Sequence, residues 1–155
     1  MYRKAELAPL EPLDFELANG CKLSADKRWV KMTQLIPWSE FEAEYTENFP
    51  TSLGAPAKSF RMALGVLIIK EKLGISDRET VEQIRENPYL QYFIGQSTYS
   101  KELPFNPSVL VYSRQQISLN LIEKVNERMV KKMIETTAIK KRIRSPKISH
   151  KIKEN

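Results

Sequence analysis

Four consecutive polar residues have the side-chain types that read DNA bases directly: Ser113, Arg114, Gln115 and Gln116. An arginine can donate two parallel hydrogen bonds to guanine, and a glutamine can bond adenine in the same two-point manner. Both contacts require these residues to lie on a helix that enters the major groove. An ordinary polar helix surface has the same composition, so the run alone leaves both interpretations open.

Two further cations, Lys58 and Arg61, lie at the start of a predicted helix and are secondary candidates for phosphate contacts. The segment 77–86 is the nominal major-groove helix, since it is the second of a closely spaced pair. Its four acidic residues outnumber its two arginines, so DNA phosphates would repel it. We therefore predict that this segment is scaffold rather than the DNA-reading helix.

The residue types needed for catalysis or metal binding are not grouped in this sequence. Four glutamates alternate with other residues between 40 and 47, and a solvated acidic helix face is favoured over a metal site for them. His150 has no metal-ligand spacing around it, and Cys21 has no histidine motif. The sequence therefore predicts neither a catalytic residue nor a metal ligand.

Two central helices are predicted to organise the chain. Residues 60–73 are apolar around most of a helix circumference, which is typical of a helix covered on several sides. Gly74 is a natural left-handed stop, and Ser76 with Glu79 forms a capping box that begins the next helix. Asn87, which precedes a proline, closes that helix. Two helices joined by a short turn of this kind have helix-turn-helix spacing.

Further helices are predicted on both sides of this pair. Ser24 or Asp26 is expected to cap a helix that Pro37 stops, and Ser39 to cap a segment from 39 to 49. The aromatic segment 89–94 carries no interleaved cation, which favours a core role over base stacking. A single long helix is predicted from Asn106 to about residue 134, with an apolar stripe at positions 110, 117, 121, 125 and 129.

These patterns predict an all-α fold: a compact multi-helix bundle with a helix-turn-helix-like pair, a long C-terminal helix and a basic tail. The predicted divisions are an extended arm at 1–24, a helical domain at 25–137 and a disordered tail at 138–155. Residues 1–130 carry 16 basic and 17 acidic side chains, whereas residues 131–155 carry 9 and 2. The net charge of +6 is therefore a property of the C-terminal region.

Cysteine content and hydropathy suggest where the protein functions. A single cysteine fits the reducing cytoplasm. The N-terminus has no signal-peptide pattern, and the longest apolar run, 62–69, is much shorter than a membrane span. We expect a cytoplasmic protein with no membrane partner.

The segment LIIKEKLGISDRETVEQIRENPYLQYFIG, followed by PFNPSVLVYSRQQI, resembles the N-terminal domain of InsH-type bacterial insertion-sequence transposases. The upstream segment DKRWVKMTQLIPWSEFEAEY is similar to the opening of the same domain, which is also catalogued as domain of unknown function 772. The resemblance covers roughly residues 25 to 130. The family has a more basic run where this chain has Ser113, Gln115 and Gln116.

The resemblance implies a DNA-binding part of a transposase that recognises the terminal inverted repeats of its element in double-stranded DNA. Such transposases cut DNA with three carboxylates that hold two divalent metals in a separate domain. We expect this chain to lack that catalytic domain, and hence to need no cofactor and to be no enzyme by itself.

Another interpretation from the residues is an interaction module. In that case the apolar stripe around Leu121, Val125 and Met129 would form homodimers or capture full-length transposase. A truncated copy could inhibit its parent in this way. A small helix-turn-helix repressor would require a basic second helix, which the segment 77–86 is not.

Overall fold

The computed structural model describes residues 14–47, 58–103 and 105–144, and these ranges form an all-α fold, as predicted. The α-helices within them are α1 (Arg28–Leu35), α2 (Glu42–Thr46), α3 (Phe60–Leu73), α4 (Asp77–Glu86), α5 (Pro88–Phe93), α6 (Ser108–Gln116) and α7 (Leu119–Arg144), and a short 3-10 helix spans Ala18–Gly20. The described extended segments meet in one isolated bridge, between Glu16 and Thr98.

Helix α3 is the centre of the core, because α4, α5 and α6 all pack against it. Its buried side is formed by Phe60, Ala63, Leu64, Val66 and Ile69. Ser59 caps its first turn by accepting a hydrogen bond from the Met62 amide. Its buried glycine, Gly65, lies directly against Ile94, and a Cβ there would approach the Ile94 side chain to 3.0 Å.

The predicted turn between α3 and α4 is confirmed. Gly74 ends α3 in the left-handed conformation, with φ of 64°. The Ser76 side chain accepts the Glu79 amide at 3.1 Å and so caps α4. The Glu79 carboxylate accepts from Gln83 instead of returning to Ser76, so the bond observed is the first half of a capping box.

The N-terminal part of the bundle contains an aromatic cluster. Trp29 of α1 packs edge-on against Phe93, with ring centroids 5.0 Å apart, and Trp38 lies 5.5 Å from the same ring. Tyr45 of α2 is fully buried beside Phe60.

The caps predicted for α1 and α2 are wrong. Helix α1 begins after Lys27 with no side-chain cap, because the hydroxyl of Ser24 bonds to the carboxylate of Asp26 rather than to a helix amide. Helix α2 starts three residues after Ser39 and spans five residues. Residues 48 and 49 of the predicted segment lie outside the described residues.

Helix α5 confirms the core role predicted for segment 89–94. Asn87 caps it by accepting the Tyr89 amide, and Tyr92 and Phe93 are buried. Tyr92 also joins a small second cluster with Phe15 and Leu23, which fastens part of the predicted N-terminal arm to the body. Leu17 packs against the same cluster, and residues 1–13 of the predicted arm lie outside the described residues.

The single long helix predicted after Asn106 is wrong, since the chain breaks at Ile117 (φ −93°, ψ 108°). Ile117 is buried, and the Ser118 hydroxyl accepts the Leu121 amide and so caps a new helix. Helix α6 itself begins at Ser108 after Pro107, and the Asn106 side chain accepts the Ser108 amide in the turn just before it. Helix α7 then continues to Arg144, through 138–144 of the predicted tail.

The first half of α7 is docked on the body. Leu121 and Val125 are buried, so these two residues of the stripe assigned to a partner instead pack inside the chain. Polar contacts to the body include an ion pair from Lys124 to Glu44 at 2.7 Å, an ion pair from Arg128 to Glu40 at 3.0 Å and, just past the midpoint of α7, a hydrogen bond from Lys132 to the Gln34 carbonyl. Among the described helices, none is long and apolar enough to cross a membrane.

Candidate nucleic-acid interface

Arg114 lies in the last turn of α6, where it meets the start of α4. Its two terminal nitrogens donate to the two carboxylate oxygens of Asp77, at 3.1 and 2.7 Å. Such a fork-to-fork pair fixes the plane of the guanidinium as well as its position. The Arg114 side chain is still 46% exposed, so its outer edge faces solvent.

Asp77 joins three helices at this point. It is the first residue of α4, it accepts from Arg114 of α6, and Lys70 of α3 lies 3.5 Å away. The hydrogen bonds from Arg114 hold the pKa of Asp77 below its ordinary value, with Lys70 adding to the effect. This pairing was not predicted, because no local sequence pattern links residues 37 positions apart.

The lowered pKa leads to a testable titration. We expect the carboxyl of Asp77 to titrate below 3.8, its ordinary value, and to move back toward that value in Arg114→Ala. Since the folded-state pKa is depressed, the pair stabilises the protein above about pH 4, and this contribution is lost as the pH falls through the folded pKa. Carboxyl-carbon NMR titration of both proteins measures this. An unchanged pKa in the variant would contradict the pairing.

The other three residues of the predicted base-reading segment 113–116 differ in their exposure. Gln115 is exposed beside Arg114, and Gln116 is half-buried. Ser113 is fully buried, and its hydroxyl donates to the Val109 carbonyl one turn earlier. Ser113 faces the core rather than a groove, so we remove it from the candidate interface.

The start of α7 lies next in the chain to this exposed end of α6. Ser118, Leu119 and Asn120 are all exposed there. The first amides of a helix have no partner within the helix and carry a partial positive charge, which favours a phosphate nearby. The junction between α6 and α7 therefore combines an oriented arginine, an exposed glutamine and an exposed helix start.

The secondary candidates at the start of α3 have other surroundings. Arg61 donates to the carbonyls of Phe93 and Tyr92, at 3.0 and 2.5 Å, and lies over the rings of Trp38 and Tyr92. Its guanidinium is thus engaged within the body, and we assign it a structural role in place of the predicted phosphate contact. Lys58 is half-buried, and its carbonyl accepts from the Tyr45 hydroxyl.

Helix α4 presents mixed charge to solvent. Arg85 pairs with Glu82 one turn earlier at 2.9 Å, as expected for this spacing, while Glu79 and Glu86 are exposed. In the described ranges, no three acidic, histidine or cysteine side chains are grouped so that they could hold a metal ion. The assignment of α4 as scaffold rather than as the DNA-reading helix stays a prediction.

These features define an all-α domain in which α3 and α4 pack beside α6, and the end of α6 is exposed. Residues 19–116 match the family model described as "Transposase domain (DUF772)", and the chain belongs to this family. The resemblance noted from the sequence is thereby confirmed. Family membership indicates a function related to DNA transposition.

A protein of Rhizobium meliloti, described as "Uncharacterized protein ORF8 in nfe locus", is 30% identical over 107 residues. The match covers 69% of this chain and 51% of that protein, so the chain spans about half the length of the curated relative it matches. No solved structure matches this chain.

Proposed function

We propose that this protein binds double-stranded DNA in a sequence-selective manner, at the terminal inverted repeats of an insertion element, through the junction of α6 and α7. The observation that carries this proposal is Arg114, which is held in one plane by Asp77 while almost half of its side chain stays exposed. Family membership supplies the link to transposition.

The oriented arginine suits base reading for a geometric reason. Arg–carboxylate pairing through the two terminal nitrogens leaves further N–H groups of the guanidinium available to an acceptor. A guanidinium whose plane is already fixed loses less conformational entropy when it bonds the O6 and N7 atoms of guanine. Gln115, exposed on the adjacent position, has the donor and acceptor that adenine requires.

The phosphate contacts are proposed to come from nearby groups of α3 and α7. Lys70 forms an ion pair with Asp77, the same carboxylate that Arg114 binds, so its ammonium lies close to Arg114. The exposed start of α7 offers backbone amides as further donors. The body is close to neutral, so we expect weak non-specific binding by the body itself. The basic residues Lys140 and Arg142 near the end of α7 add a salt-sensitive contribution that is independent of sequence.

The test is the affinity of Arg114→Ala for a labelled terminal repeat and for a scrambled duplex of the same length, measured by fluorescence anisotropy at a fixed salt concentration. We expect the terminal repeat to bind about 10- to 100-fold more weakly, since a two-point arginine–base contact contributes about 1–3 kcal/mol of discrimination. Binding to the scrambled duplex should change much less.

The matched control is Arg78→Ala, which removes an exposed arginine from α4, one residue after Asp77. Both variants lose one positive charge, so a purely electrostatic effect would weaken binding equally in the two. Equal losses on both duplexes, or no sequence preference in the wild-type protein, would refute base reading at α6. Arg114→Lys should resemble Arg114→Ala on the terminal repeat, because lysine lacks the fork.

A further inference from the structure

The outer side of α7 carries an apolar patch that begins near the middle of the helix. Val130, Met133 and Ile134 are 54%, 50% and 63% exposed, and Thr137 continues the patch one turn later. These four residues, with Ala138 and Lys141, line one groove along the helix. Positions separated by three, four and seven residues fall on one face of a helix, so the patch is continuous.

This patch faces away from the body of the protein. Each residue of an α-helix turns the chain by about 100°, so Val130 points to the side opposite Leu121, nine positions earlier. Leu121 is buried against the body, whereas Val130 is exposed. A second helix could therefore lie on the outer face without displacing the contacts that hold α7.

On the same face of α7, acidic residues lie on the N-terminal side of the patch and basic residues on the C-terminal side. Glu123 and Glu127 precede the apolar patch, and Lys141 and Arg144 follow it; all four are exposed. A two-fold axis placed between Met133 and Ile134 sets Glu123 opposite Arg144, and Glu127 opposite Lys141, to within one residue. The face is thus complementary to itself when a second copy runs in the opposite direction, whereas a parallel copy would place like charges together.

We propose that α7 pairs in antiparallel orientation with α7 of a second copy of this chain, through the face running from Glu123 to Arg144. The occupant is a second copy because the acidic and basic ends of one face match each other. The apolar patch spans about two helical turns and is smaller than the roughly 800 Å² that each partner buries in a standard stable interface. We therefore expect a dimer that dissociates on dilution through the micromolar range, without any DNA.

Sedimentation velocity over a series of concentrations tests the pairing, using the 155-residue chain in a Cys21→Ser background. The acid-to-base variant combines Glu123→Lys with Glu127→Lys, and the base-to-acid variant combines Lys141→Glu with Arg144→Glu. The dissociation constant of each variant's own dimer should be at least tenfold higher than that of the wild type, since residues 123 and 127 of one copy would then face like charges at 144 and 141 of the other. An equimolar mixture of the two should restore dimers. Lys101→Glu changes an exposed lysine outside α7 and should leave association unchanged.

Disulfide trapping tests the orientation. Val130 and Thr137 of two antiparallel copies lie opposite each other, so a mixture of Val130→Cys and Thr137→Cys chains should cross-link faster than either chain alone. In a parallel pair, each chain would cross-link with its own kind, since bridged Cα atoms must lie within about 7 Å. A monomeric wild type at all concentrations, dimers indifferent to the charge exchanges, or faster self-cross-linking of Val130→Cys would overturn the proposal.

Discussion

Replacement of Gln91 by leucine is expected to lower the free energy of unfolding by about 3 kcal/mol. Gln91 is fully buried in α5, and its amide nitrogen donates to the carbonyls of Ile84, Arg85 and Ser100, at 3.2, 3.3 and 2.8 Å. Its amide oxygen accepts from the Ser100 backbone at 2.9 Å. Leucine has a similar volume, so the loss comes from backbone groups left without a partner rather than from a cavity.

Urea denaturation followed by circular dichroism measures this effect. The matched control is Gln83→Leu, since Gln83 is half-exposed on α4 and its side chain donates to the exposed carboxylate of Glu79. We expect the control to change stability by less than about 0.5 kcal/mol. Equal effects of the two substitutions would show that Gln91 does not connect the end of α4 to the segment around Ser100.

The role of Gln91 explains one limit of the sequence analysis. A lone glutamine inside an aromatic segment has no local pattern that reveals burial, because its partners come from the preceding helix and from a loop nine residues later. The pair α3 and α4 was predictable, since Gly74 and Ser76 are local signals that act within one turn of their own position. Long-range contacts leave no such signal in a single sequence.

The break between α6 and α7 shows a second limit. The apolar spacing through Leu110, Ile117 and Leu121 fits one continuous helix, and periodicity alone gave no reason to interrupt it. In the fold, Ile117 is extended and buried, and Ser118 caps the next helix. Tertiary packing thus overrides helical periodicity here. The break at Ile117 changes the direction of the chain, so that Leu121 and Val125 of α7 are buried against the body.

The candidate interface was predicted only in part for the same reason. The residue types of Arg114 and Gln115 suggested base reading, and both are exposed. The inward direction of Ser113 depends on how α6 packs against α3, and the pairing of Arg114 depends on Asp77, which lies on another helix. Neither fact could be derived before the helices were placed relative to each other.

Replacement of Arg61 by alanine should lower the free energy of unfolding by about 3 kcal/mol without weakening DNA binding by the folded protein. The guanidinium satisfies the carbonyls of Tyr92 and Phe93 at the end of α5 and lies 5.5 Å from the ring centroid of Trp38. Its loss removes two hydrogen bonds from a charged donor, a cation–π contact and the packing of the side-chain stem. Burial lowers the pKa of Arg61, but an arginine stays protonated in proteins.

Urea denaturation of Arg61→Ala beside Arg78→Ala, an exposed arginine on α4, separates lost packing from lost charge. Arg61→Lys should remain destabilised, since one ammonium cannot reproduce two donors in a fixed plane. Affinity for the terminal repeat is then compared at a temperature where both variants are folded. A loss of affinity in Arg61→Ala matching that in Arg114→Ala, with unchanged stability, would return Arg61 to the DNA interface. Lower stability of Arg61→Ala with wild-type affinity for DNA would establish that Arg61 stabilises the fold and does not contact DNA.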